Sequence, residues 1–193
     1  MTAIVDYGAG NLTSVRNAFA ALGAETVVTR DPGVVSSADR VVFPGVGAAA
    51  SAMGSLKSAG LVGPVRAAAL SGRPFLGICL GMQILFSHSE EDGGVGCLGV
   101  LGGRVRRFPA DRGFKVPEIG WNAVEGLRDG AAPEFYFVHS YYAEVVPETV
   151  GVTEYAGVRF TAMARRGRLW ACQFHPEKSG RVGLELLKEW LAC

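Results

Sequence analysis

The stretch Pro74-Phe75-Leu76-Gly77-Ile78-Cys79-Leu80-Gly81-Met82-Gln83-Ile84-Leu85-Phe86 decides how the chain folds. Pro74 to Ile78 is short and apolar, as a strand covered on both faces of a parallel sheet is. Met82 to Phe86 then reads as a helix. Between them, Gly77-Ile78-Cys79-Leu80-Gly81 has the form glycine, any residue, nucleophile, any residue, glycine. A strand turning abruptly into a helix holds the middle side chain in a strained, exposed position, and the glycines leave the turn room. The helix N-terminus just beyond favours a thiolate at Cys79. Most free cysteines are small buried hydrophobes. Cys97, Cys172 and Cys193 read that way, since none lies at a turn between strand and helix; at Cys79 the flanking elements favour a nucleophile.

The elements on either side fit the same pattern. Ala3 to Asp6 is a short β-branched run, followed by the turn-rich Tyr7 to Asn11. Leu12, Val15, Phe19 and Leu22 recur at helical spacing, with Gly23 where a helix C-terminal glycine belongs. Thr26 to Thr29 and Arg40 to Phe43 read as strands, the second running into Pro44-Gly45-Val46-Gly47, which is too glycine-rich to continue it. Leu61 to Leu70 reads as a helix. The order strand, helix, strand, strand, helix, strand, helix predicts a mainly parallel central sheet flanked by helices. From about Gly103 the period changes. Val105 to Phe108, Phe135 to Val138, Tyr142 to Val146, Val150 to Tyr155, Arg159 to Arg165 and Leu169 to Phe174 are strand-like, with Arg166-Gly167 at a hairpin tip. Leu184, Leu187, Trp190 and Leu191 form a closing helical stripe. With no linker, repeat or low-complexity segment, residues 1–193 are expected to form a single α/β domain with an antiparallel, strand-rich second half.

Composition narrows the function. The chain has 193 residues, 49% hydrophobic and 19% charged, with a formal net charge of +1. That balance argues against a protein that coats nucleic acid or carries an acidic tail. The 27 glycines have no three-residue period and there are only 9 prolines, which excludes collagen and disorder. No apolar stretch approaches the ~20 residues of a membrane span, and Met1 to Gly10 lacks the basic flank of a signal peptide. The 4 cysteines and 3 histidines show no zinc spacing, so no metal site and a reduced, cytoplasmic setting are expected.

A thiol nucleophile needs a base. His88, nine residues beyond Cys79, would stand roughly 13 Å away if the segment were helical throughout, too far to share a proton. His175 sits in Phe174-His175-Pro176-Glu177, directly after the last strand. In an extended segment residues two apart share a side, so Glu177 is expected to orient the His175 imidazole. His139, in Phe137-Val138-His139-Ser140-Tyr141-Tyr142, is a rival base; the absence of a carboxylate two residues away favours a substrate contact instead. Acyl transfer also needs donors for a developing oxyanion. The Leu80 N–H and the loop Gly45-Val46-Gly47, leaving a strand carboxyl end where open α/β sheets place ligands, are the candidates.

Gly77 to Gly81 followed by Met82-Gln83, together with Phe174-His175-Pro176-Glu177, resembles the class I (triad) glutamine amidotransferases. Lys115 to Asn122, Tyr136 to Tyr142, Phe174 to Gly180, Asp6 to Asn11 and the Pro44 to Gly47 loop extend the likeness over nearly the whole chain. Glu118 departs from it, standing where His or Gln is expected, and is read as a loop residue remote from the triad. The resemblance implies a flavodoxin-like fold and a cofactor-free glutaminase. In it Cys79 is the nucleophile, His175 the base and acid, and Glu177 the orienting carboxylate. Gln83 with the His139-Ser140-Tyr141 backbone would hold the amino acid end of glutamine, and Gly45 to Gly47 with Leu80 would form the oxyanion hole.

Among such enzymes, the segments quoted resemble members that pass ammonia to a separate (β/α)₈ cyclase subunit in a 1:1 heterodimer. One glutaminase-sized domain fills the chain, so the ammonia acceptor is expected on another protein that docks closely. Trp121, Tyr136 and Lys178 are candidates for that interface, although core or rim packing explains the two aromatics equally well. Arg104, Arg106, Arg107, Arg112 and Lys115 read as a solvated strand face. Two rival classes are a stand-alone cysteine hydrolase and a glutamine-binding module without activity. The first usually has its acid before its histidine, the reverse of His175 and Glu177; the second would have no need of the Cys79 thiol.

Overall fold

The Asn11 side chain accepts the Ser14 N–H and so caps the first helix, as an N-terminal asparagine should. The computed structural model describes residues 1–8, 11–109 and 113–193; Ala9 and Gly10 of the early motif, and Arg112 of the basic set, lie outside the described residues. The first half comprises β1 (Thr2–Val5), α1 (Leu12–Ala21), β2 (Thr26–Thr29), α2 (Pro32–Ser37), β3 (Arg40–Gly45), α3 (Ala49–Ser58), α4 (Val62–Leu70), β4 (Phe75–Cys79) and α5 (Leu80–Gln83). The second comprises β5 (His88–Ser89), β6 (Val95–Gly96), β7 (Arg104–Arg107), β8 (Glu118–Ala123), β9 (Glu134–His139), β10 (Tyr141–Ala143), β11 (Thr149–Tyr155), β12 (Val158–Arg166), β13 (Leu169–Cys172) and α6 (Gly180–Leu191).

A seven-stranded sheet runs in the order β11-β12-β13-β4-β3-β1-β2. Its β2, β1, β3, β4 and β13 neighbours pair in parallel, whereas β11, β12 and β13 pair antiparallel. The expected mainly parallel sheet with antiparallel additions is therefore present. Alternation along the strands builds a core on each face. Val5, Val41, Phe43 and Phe75 pack with Leu56 of α3 and Val65 of α4. Ile4, Val42, Leu76 and Trp170 pack with Phe19 of α1 and Trp190 of α6, whose rings meet at 5.7 Å. Smaller sheets run β10-β7-β5-β6 and β8-β9.

Several expected boundaries move for physical reasons. Strand β3 continues through Pro44 to Gly45, because Gly45 pairs with Cys79 on β4. Helix α5 ends at Gln83 rather than Phe86. The Ile84, Leu85 and Phe86 carbonyls accept N–H groups of Leu98, Val100, Leu101 and Gly99 instead of continuing the helix, which buries all three side chains. His88 consequently belongs to β5 and not to a helix. Helices α2 and α3 were not expected. Asp31 caps Gly33 and Val34 ahead of Pro32, a helix-start signal in plain view, but α2 buries only Val35. Helix α3 buries Ala49, Ala52 and Leu56, a stripe too small-sided to stand out. Strand β8 was also missed, because its outward face carries the apolar Ile119 and Trp121 while Glu118 points in. Cys172 is buried as expected, whereas Cys97 and Cys193 are only half-buried. Arg104, Arg106, Arg107 and Lys115 are exposed, with Arg106 paired to Glu90 and Glu144.

Candidate active site

Cys79 ends β4 with φ 54° and ψ −113°, a left-handed conformation that a non-glycine residue adopts only where its surroundings enforce it. The surroundings are tight. A Cβ on Gly81 would collide with the Phe43 carbonyl oxygen, and one on Gly45 with the Tyr7 hydroxyl. Backbone approach of this kind, more than turn freedom, explains why glycines flank the cysteine. The sequence reading of a strained strand-to-helix turn holds, but the Cys79 side chain is buried and not exposed, because β13 and the His139-Ser140-Tyr141 segment close over it. Helix α5 behind it is a single turn of four residues.

The opposite side of the site comes from β13. This strand lies parallel to β4 with Leu169 beside Phe75 and Cys172 beside Ile78, so the next residues emerge level with Cys79. The His175 backbone N–H donates to the Tyr136 carbonyl at 2.9 Å, and its carbonyl accepts the Ser179 hydroxyl at 2.7 Å. Its Nδ1 stands 2.7 Å from Glu177 Oε1, with both side chains buried. The contact was expected, but not its geometry, since Pro176–Lys178 is a 3₁₀ turn rather than an extended segment. With Nδ1 engaged, Nε2 has no hydrogen-bonded acceptor among the described residues and is the nitrogen left for the sulfur. Burial pushes the imidazole down, but the nearby Cys79 sulfur and the Glu177 carboxylate lift it to about 10. Tyr7 is pushed up by burial and by the Cys79 charge.

Cys79 and His175 share a cavity of about 310 Å³, also lined by Val46, Gly47, Leu80, Gln83, His139, Ser140 and Tyr141. Of the sequence-predicted binding residues only Gly45 lies off its wall, in the strand beneath. The Gln83 Nε2 donates to the Tyr141 carbonyl and to Gln173 Oε1, each at 2.8 Å. His139 corrects two readings. A carboxylate does stand beside it: Glu118 on β8 pairs across the ladder, with Oε2 3.0 Å from His139 Nε2 and both side chains buried. Glu118 is thus a buried strand residue and not part of a loop. The His139 ring packs against Phe108, Phe137 and Phe160 while Nδ1 meets the Tyr141 carbonyl at 2.7 Å, so its side chain is committed to the fold.

Sequence reasoning missed Glu91, Pro117 and Val138 on the cavity wall, and Gln173 buried behind it. Glu91 supplies a carboxylate to its wall and accepts the Ala49 N–H at 2.6 Å; burial raises its pKa against that bond. The acidic run Glu90-Glu91-Asp92 was its signal. Val138 lines the cavity too, its carbonyl 3.9 Å from the Cys79 sulfur. Gln173, wholly buried, donates from Nε2 to that sulfur at 3.7 Å; two residues before His175, it lay within reach of the alternation rule. Trp121 and Tyr136 meet edge to face at 6.3 Å, and Lys178 Nζ lies 5.8 Å above the Tyr136 ring. Trp121 is 54% exposed and Ile119 64%, so core packing is excluded for Trp121. Among the described residues there is no group of metal-ligating side chains, and no helix long and apolar enough to cross a membrane.

The chain is similar to known proteins over its full extent. It is 51% identical to the imidazole glycerol phosphate synthase subunit HisH of Moorella thermoacetica, covering 97% of this chain and 92% of the relative. It is 47% identical to the subunit of that name from Methanothermobacter thermautotrophicus, over 99% and 98%. A crystal structure of a glutamine amidotransferase superposes with a TM-score of 0.75 at 21% identity, covering 99% of each chain. A glutamine amidotransferase from Thermotoga maritima gives 0.64 at 19%, covering 99% of this chain and 83% of that one. The family model of glutamine amidotransferase class-I matches residues 3–192, and the chain belongs to that family.

Proposed function

We propose that this chain is the glutaminase subunit of an imidazole glycerol phosphate synthase, acting in the cytoplasm as one domain over residues 1–193. The observation that carries the chemistry is the His175 imidazole, fixed by Glu177 through Nδ1 with Nε2 left open, on the wall of the cavity it shares with Cys79. Likeness to relatives that bear that name carries the assignment within the family.

In this reading the Cys79 proton already resides on His175, whose charged form is favoured up to about pH 10, and the sulfur anion attacks the carboxamide carbon of glutamine. The oxyanion is met by the Leu80 N–H and the loop at Val46 and Gly47. When the tetrahedral adduct collapses, the C–N bond breaks and the His175 imidazolium gives its proton to the leaving nitrogen, releasing ammonia. Water then attacks the thioester, His175 accepts its proton, and glutamate leaves as the thiol is restored. Gln83 and the His139-Ser140-Tyr141 backbone hold the amino acid end, where Glu91 offers a carboxylate to an ammonium group. No cofactor takes part.

Ammonia goes to a separate cyclase, which is a (β/α)₈ barrel and binds this chain as a 1:1 heterodimer. There it completes imidazole glycerol phosphate and aminoimidazole carboxamide ribotide in histidine biosynthesis. The exposed Trp121, half-buried Tyr136 and Lys178 supply the docking surface beside the cavity. Measuring glutamate release with and without the cyclase and its ligand tests this. Release should rise on adding the partner and vanish in Cys79→Ala; unchanged release in that variant would overturn the nucleophile, and a lack of response to the partner would overturn the subunit role.

A further inference from the structure

Gln83 and Gln173 are the only glutamines in the sequence. Both are buried, and they hydrogen-bond to each other next to the Cys79 sulfur. A wholly buried amide has no packing advantage over an apolar side chain of similar size, and leaving its groups unmade would cost about 1–3 kcal/mol each. Here the orientation of both amides is fixed by their hydrogen bonds. The Tyr141 carbonyl can only accept, so the Gln83 nitrogen must face it. That nitrogen also donates to Gln173, so the Gln173 oxygen must face Gln83. The Gln173 NH₂ group is thereby turned toward Cys79 and cannot flip without breaking the chain of bonds.

We propose that Gln173 is a positioning residue for Cys79, donating a hydrogen bond from Nε2 that holds the sulfur in place and favours its anionic form. This rests on reading Cys79 as the nucleophile. An N–H donor binds a thiolate more strongly than a thiol, since hydrogen bonds to ionised acceptors are about twice as strong as neutral ones. The protonated sulfur has a different partner, the Val138 carbonyl at 3.9 Å. The two contacts divide the sulfur's states between them: Val138 accepts from the thiol, and Gln173 donates to the thiolate. Once the sulfur is acylated it no longer carries the charge that the amide favours. Gln173 also joins the nucleophile to the Tyr141 carbonyl on the cavity wall through Gln83.

The test is the pH dependence of Cys79 alkylation by iodoacetamide in the full-length chain, followed peptide by peptide so that Cys97, Cys172 and Cys193 do not interfere. The titratable groups coupled to the sulfur are His175, Tyr7 and Cys172, and they are the same in all variants. Gln173→Glu still accepts from Gln83 but no longer donates; Gln173→Met removes both bonds without adding charge. Each should move the alkylation midpoint upward by about one pH unit, which slows alkylation at neutral pH about tenfold. The turnover number kcat should fall, with KM for glutamine within about twofold. Folded variants with the unsubstituted profile would overturn the proposal, and so would a shift in Gln173→Glu alone, which would report added charge and not a lost donor. Should neither variant fold, the unsubstituted chain decides. One of its two glutamine side-chain amide resonances must move with the alkylation midpoint, and its failure to move overturns the proposal. Cys79→Ala separates the two layers: activity surviving there removes the nucleophile itself, whereas activity lost there with unshifted Gln173 variants removes only the positioning role.

Discussion

His175 Nδ1 reaches Glu177 Oε1 at 2.7 Å across one 3₁₀ turn, although only Pro176 separates the two residues in sequence. The turn brings the carboxylate back over the imidazole, and the Ser179 hydroxyl locks it by donating to the His175 carbonyl. Glu177 therefore orients the imidazole and helps keep it charged.

The pH consequence has a definite sign. The imidazole lies at about 10 against an ordinary 6.5, so it is charged through neutral pH and loses its proton only as the pH rises through about 10. The alkaline limb of kcat/KM should fall there. Glu177→Gln removes a carboxylate that raises the imidazole, so the limb should move toward neutral pH while kcat falls about 10–100-fold. His175→Asn removes the proton carrier itself and should cost at least about 10³-fold. The same shift means that the stability His175 contributes is complete below 6.5 and lost as the pH rises through about 10. Urea midpoints should decline over that window in the unsubstituted chain and less so in Glu177→Gln. Equal activity losses in the two variants, or an unmoved limb, would contradict this account.

Glycines at the site give a paired test of packing. Gly81→Ala drives a Cβ into the Phe43 backbone carbonyl, which cannot swing aside. Overpacking of this kind costs about 1–3 kcal/mol, occasionally more, and a backbone obstacle places it at the high end. Gly54, within α3, has open space around its missing Cβ; Gly54→Ala should stabilise by up to ~1 kcal/mol through helix propensity. Urea unfolding of both variants reads the opposite signs, and a neutral Gly81→Ala would mean that the turn is looser than the structure has it.

Legibility in the sequence followed the strength of local patterns. Gly77 to Gly81 announced both the central strand and the strained turn at Cys79, because tight backbone approach demands glycine at those positions. Phe174 to Glu177 announced the His175–Glu177 contact, since the two residues are neighbours in sequence. What stayed hidden was long-range register. Glu118 and His139 lie 21 positions apart and meet only because β8 pairs with β9; Gln83 and Gln173 are 90 apart and meet only because β13 returns alongside β4. Strand β8 escaped notice for a related reason. Its outward face is apolar and its inward face opens with a carboxylate, the reverse of ordinary alternation.

That reversed face leads to a prediction about assembly. Trp121 is 54% exposed and Ile119 64%, on the same side of β8. Surface truncations that touch no buried group usually stay within about 0.5 kcal/mol of neutral, so Trp121→Ala should leave the urea midpoint nearly unchanged. Tryptophan is a frequent interface hot spot, and losing one costs about 2 kcal/mol or more. Titration against the cyclase should accordingly show affinity reduced at least about 30-fold, with glutaminase stimulation recovered at saturating partner. A substantial loss of stability with affinity intact would reassign Trp121 to the fold.

The buried Glu118–His139 pair should behave non-additively. Removing one member strands the other in a ring of Phe108, Phe137 and Phe160. Leaving one buried polar partner unpaired costs about 1–3 kcal/mol, more for a charged group, whereas replacing both members by apolar residues of similar shape can be nearly neutral. Glu118→Leu should thus be strongly destabilising, and Glu118→Leu combined with His139→Phe should recover most of the loss by urea unfolding. The double variant still lacks the His139 Nδ1 contact to the Tyr141 carbonyl, which Gln83 also holds. Its KM for glutamine should therefore rise more than its kcat falls. A double variant as unstable as Glu118→Leu alone would show that the pair is held by packing around each residue rather than by the contact between them.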